Sequence, residues 1–96
     1  MNKNDNHLLQ SLSKRYKKFD YQIINNKIYQ IDGKYLKGIQ QLISKSDEYE
    51  NWNGKYLITF DKNYLCIDNS TNDCWCEEFR TYNKAIGWLN EEFQVS

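Results

Sequence analysis

Apolar side chains recur along this chain with two different periods, and each change of period marks a new element. Leu8, Leu9, Leu12, Tyr16 and Phe19 share one stripe at helical spacing. The opposite face carries Lys14, Lys17 and Lys18, toward the C-terminal end where cations complement the helix dipole. Asp5 or Asn6 supplies the N-cap. The period then shortens. Tyr21 to Ile24 and Lys27 to Ile31 are β-rich runs separated by Asn25-Asn26, and Asn tolerates positive φ, so the spacing predicts a tight hairpin that Asp32-Gly33 ends. Leu36, Ile39, Leu42 and Ile43 restore the helical period for a short helix ending near Ser46. An acidic, turn-like stretch from Asp47 to Gly54 follows, with Trp52 tucked inward.

From Lys55 the pattern is again β. Tyr56 to Phe60, a turn at Asp61 to Asn63, Tyr64 to Ile67, a loop over Asp68 to Asp73 and Cys74 to Phe79 predict a three-stranded antiparallel meander. Thr81 caps a last helix whose apolar face holds Ala85, Ile86, Trp88, Leu89 and Phe93. The order α-β-β-α-β-β-β-α predicts an α+β fold, with the helices on one face of an antiparallel sheet. A chain of 96 residues is read as a single domain spanning 1–96, with a modest core that aromatic residues (16%) help to fill.

No apolar run approaches the roughly 18 residues that span a bilayer, and the polar first twenty residues do not form a signal peptide. Cys66, Cys74 and Cys76 are odd in number, which suits a reducing cytosol better than a disulfide framework. The expected location is therefore the cytoplasm, and the acceptor-like Asn69-Ser70-Thr71 is left unmodified there.

The residues that carry chemistry are sparse. Cys74-x-Cys76 on a strand would place two thiols on one face, with Cys66 on the neighbouring strand and His7 as the remaining soft ligand. Zinc sites favour knuckles with ligands two to four apart, so these cysteines are expected to pack as small hydrophobes and no metal is predicted. His7 stands in the first turn of a helix with no triad partner near it in sequence. Glu77 and Glu78 point to opposite faces of a strand and cannot act together, and Glu91-Glu92 form a solvated helix face. Gly33, Gly38, Gly54 and Gly87 are scattered and make no phosphate loop. The expectation is a protein that is not an enzyme and carries no cofactor.

Charge is the more informative feature. The formal net charge is zero, yet residues 1–45 hold nine basic against three acidic side chains, and residues 46–96 hold four against ten. Two binding surfaces follow. Lys14, Arg15, Lys17 and Lys18, with Tyr16 and Tyr21 nearby, could bind nucleic acid. Asp47, Glu48, Glu50, Asp61, Asp68, Asp73, Glu77 and Glu78 could instead offer a basic protein the negative potential it expects of a phosphate backbone. Edge strands of the meander are also free to pair, which leaves a homodimer open.

Lys far outnumbers Arg (11 against 2), Asn, Ile and Tyr are abundant, and Pro is absent, as in chains from AT-rich bacterial or phage genomes. The run Ile67-Asp-Asn-Ser-Thr-Asn-Asp-Cys-Trp-Cys-Glu-Glu-Phe79, followed by Thr81 and Ala85-Ile-Gly-Trp-Leu89, resembles small accessory proteins of phages and mobile elements of low-GC bacteria. Some of those are anti-CRISPRs, which bind a CRISPR effector and block DNA capture or cleavage. The resemblance implies a partner in the host cell, a basic nucleic-acid-binding effector. A nucleic-acid binder using the lysine cluster and an antitoxin or immunity protein are the alternatives.

Overall fold

The structure is a computed structural model and describes residues 6–44, 52–71 and 73–90. Among the described residues three helices, α1 (His7–Arg15), α2 (Leu36–Ile43) and α3 (Tyr82–Leu89), flank five strands. The strands are β1 (Gln22–Ile24), β2 (Ile28–Asp32), β3 (Lys55–Thr59), β4 (Tyr64–Asp68) and β5 (Trp75–Phe79). The fold is α+β, in the order the periodicity predicts. A 3-10 turn over Gly33–Tyr35, capped by the Asp32 carboxylate accepting from the Lys34 N–H at 2.8 Å, leads from β2 into α2.

Local chemistry explains the boundaries. Asn6 caps α1, and Thr81 caps α3 by accepting from the Lys84 N–H. Asn25 and Asn26 both take positive φ, 55° and 61°, as the two-residue turn between β1 and β2 requires. Helix α1 stops at Arg15, and Tyr16 turns extended. Tyr16 and Phe19 nevertheless stay on the core, each ring edge-on to Tyr35 with centroids 5.0 and 4.9 Å away. Ser46 and Phe93 lie outside the described residues.

The hairpin and the meander form one sheet in the order β1-β2-β3-β4-β5. The joint between them is a parallel pair: β2 runs alongside β3 from Ile28↔Lys55 to Asp32↔Thr59. Parallel neighbours need a crossover, and the 3-10 turn and α2 lie in that connection.

The helices do not share one face of the sheet, contrary to the expectation from sequence. Helices α1 and α2 pack with Ile31, Tyr56, Ile58 and Ile67. Helix α3 packs on the reverse face, where Ala85 and Leu89 meet Ile28, Leu57 and Cys66. The cause lies in the central strands. Tyr56-Leu57-Ile58 and Leu65-Cys66-Ile67 are continuous apolar runs, and a strand that is apolar at both parities must be covered on both sides.

Candidate protein-binding edge

Among the described residues strand β5 is outermost, hydrogen-bonded to β4 on one side only. Its burial pattern differs from that of the other long strands. Trp75, Cys76, Glu77 and Glu78 are all exposed, and only Phe79 is half-buried, against Trp88 of α3. Trp75 is 63% exposed, the most accessible of the large hydrophobic side chains in the described residues. The register fixes the direction of each side chain. Trp75, Glu77 and Phe79 lie on the α3 face, level with Asp68, Cys66 and Tyr64, and Cys76 and Glu78 lie on the opposite face.

The carboxylates of the predicted acidic surface distribute along this edge rather than over one face. Glu77 and Glu78 straddle the strand. Glu78 accepts from Asn63 Nδ2 at 2.7 Å and shares a shallow groove with Lys62 and Arg80, which temper its field. Asp61 is exposed in the β3–β4 turn at the same end of the sheet. At the other end, Asp68 accepts from both the N–H and the hydroxyl of Ser70, and Asp73 accepts from the Thr71 hydroxyl. Five of the predicted acids therefore border β4 and β5. Asp47, Glu48 and Glu50 lie outside the described residues.

The lysine cluster is also placed. Lys14, Arg15, Lys17 and Lys18 are exposed at the C-terminal end of α1 and in the turn beyond it. Tyr16 points away from them into the core, so it is not available for base stacking. Tyr21 is half-buried between Phe19 and Tyr29.

The cysteines separate. Cys66 is fully buried beneath α3, with its thiol 3.6 Å from the Ala85 carbonyl. Burial, and secondarily the Glu77 carboxylate, push this thiol up to about 12. Cys74 precedes β5 rather than lying in it, and it takes φ +51°. Both Cys74 and Cys76 are exposed, which corrects the expectation that all three pack as hydrophobes on or beside a common strand face. Cys76 also faces away from Cys66, since Cys66 is level with Glu77 and Cys76 with Ile67. His7 is exposed on α1. Among the described residues no three His, Cys, Asp or Glu side chains come together in a way that could hold a metal ion. No described helix is long and apolar enough to cross a membrane.

A free meander edge is expected from sequence, but its identity as β5 and the exposed Trp75 upon it are not. Their signal was the doublet Glu77-Glu78. Two consecutive carboxylates in a strand leave neither face fully buried at that point, and this marks a sheet edge. Comparison with protein-family models, curated proteins and solved structures finds no match to this chain.

Proposed function

We propose that this chain is a non-enzymatic binding protein that inhibits a basic, nucleic-acid-binding protein by engaging it along the β4–β5 edge. The observation that carries the reading is β5 itself: an outer strand with four consecutive exposed residues, one exposed Trp and acids on both of its faces. An outer strand leaves alternate N–H and C=O groups free to pair with an extended segment. The flanking carboxylates add a negative potential that steers a basic partner and competes with its phosphate ligand. Trp75 is the residue type that most often anchors such contacts. A CRISPR effector of the host cell, met in the cytoplasm, is the partner implied by the resemblance of residues 67–89 to phage accessory proteins.

The experiment is a pull-down from lysate of an AT-rich bacterial host with nuclease present, run in parallel with a variant carrying Asp73→Lys, Glu77→Lys and Glu78→Lys. The expected result is one stoichiometric basic protein, retained without nucleic acid, weakened by salt and lost with the variant. Equal capture by both chains would overturn the edge reading. Capture that vanishes with nuclease would transfer the function to Lys14, Arg15, Lys17 and Lys18.

A further inference from the structure

Cysteine is among the residue types most often buried, and Cys66 obeys that rule while Cys74 and Cys76 break it. The two exposed cysteines flank Trp75, the outermost aromatic residue of β5. The chain bends at Cys74, whose φ of +51° lies in a region that L-residues rarely enter. The Cys76 thiol turns back and donates to the Cys74 carbonyl at 3.7 Å. The two thiols are also within interaction reach of each other: partial burial, then the Cys74 side chain, raise the Cys76 thiol above its usual range. Cys66 cannot join them, being on the far face of the sheet and closed over by α3.

We infer that Cys74 and Cys76 form a reversible modification site, a dithiol that closes to an intrachain disulfide by exchange with a small-molecule disulfide such as oxidised glutathione. Cys74, in the loop, attacks first as its thiolate. Its sulfur bonds to one sulfur of the oxidant, the oxidant S–S bond breaks, and the departing thiolate takes up the proton that Cys74 released. Cys76, giving up its own proton, then attacks the Cys74 sulfur and expels the second thiolate, which is protonated in turn. The protein loses two hydrogens and the oxidant becomes two thiols.

Geometry sets the character of the product. Residues two apart in an extended strand are separated by about 6.4–6.8 Å at Cα. Disulfides span about 4.4–6.8 Å, with a preference for the middle of that range. Closure therefore draws the first residues of β5 together and acts against the Asp68↔Trp75 pairing at the strand end. A strained, exposed disulfide is readily reduced again, which suits a reversible modification rather than a structural cross-link. Trp75 sits inside the ring that closes, so the modification acts directly on the presentation of this side chain.

The test needs no partner. The folded protein is incubated with oxidised glutathione, alkylated, and examined by intact mass and peptide mapping. Wild type is expected to lose two hydrogens within the peptide holding Cys74 and Cys76, and reduced glutathione should reverse this. Cys76→Ser should stop at a single glutathione adduct on Cys74. The reduced wild-type protein should also bind one phenylarsine oxide, a reagent for paired thiols, and each single Cys→Ser variant should bind it far more weakly. Persistent glutathione adducts on wild type, intermolecular cross-links, or arsenical binding unaffected by either variant would overturn the inference.

Discussion

At the scale of single residues, one amide couples a helix cap to the core. Asn6 Oδ1 accepts from the Leu9 N–H at 3.1 Å, and its Nδ2 donates to the Tyr56 hydroxyl at 2.6 Å. That hydroxyl donates onward to the Trp52 carbonyl at 2.6 Å. Asn6→Asp keeps the cap acceptor and places a negative charge where the α1 dipole favours it. It removes the only donor that Asn6 offers Tyr56, and an unmade buried bond outweighs the dipole gain. A loss of about 1–2 kcal/mol is expected in urea unfolding, and a neutral or stabilising result would contradict the coupling. Cys66 supplies a pH dependence. Its thiol rises from an ordinary 9.0 to about 12 in the folded state. The stability this contributes is fully present below pH 9 and is lost as pH climbs toward about 12, because the unfolded chain ionises first. Tyr56, whose hydroxyl is also raised by burial, steepens the fall at the alkaline end. Urea midpoints measured across this range should decline, and Cys66→Ala should flatten the earlier part of the decline. In the native state a thiol reagent should reach Cys74 and Cys76, the latter more slowly because its thiol is raised, and Cys66 only after unfolding.

At the scale of elements, periodicity was enough wherever a segment's neighbours in sequence decide its structure. The helical stripe of Leu8, Leu9 and Leu12, the Asn25-Asn26 turn and the Thr81 cap are all local signals, and each became the element it predicts. Pairing between β2 and β3 is not local. Nothing in Ile28 to Asp32 specifies that its partner starts some twenty residues later and runs parallel. Covering both faces follows from the apolar run Tyr56-Leu57-Ile58, whose two parities leave neither side of β3 suited to solvent. The acidic residues were legible as a group, but their placement along an edge depended on which strand ends the sheet. The β2–α2 connection offers a test of this packing. A Cβ on Gly33 would lie 2.5 Å from the Phe60 ring and 2.7 Å from the Thr59 carbonyl oxygen. The carbonyl belongs to the end of β3, so the strand itself must give way. Gly33→Ala is expected to destabilise by about 1–3 kcal/mol, measured as a lower thermal midpoint, although Ala is ordinarily the better helix former.

At the scale of the whole molecule, the two sheet edges are protected by different means. Strand β1 is only three residues long, too short to template much pairing even with Ile23 exposed. Strand β5 has five residues and a free side, so charge must do what length does for β1. Self-pairing of β5 about a two-fold axis at its central residue sets Trp75 against the partner's Phe79, a favourable contact. The same axis sets Glu77 against its own copy on one face, and like charges directly opposite across a strand pair are destabilising. The acids proposed to draw a basic partner would thereby also disfavour a second copy of the chain. Wild type is expected to sediment as a monomer. Glu77→Val removes the repulsion and substitutes an apolar cross-strand pair, each effect being worth up to about 1 kcal/mol, so self-association should tighten by roughly tenfold. Sedimentation velocity over a concentration series distinguishes the two. A wild-type dimer dispersed by Glu77→Lys would show that β5 pairs with itself despite its charge, and the edge would then be occupied rather than open to a partner.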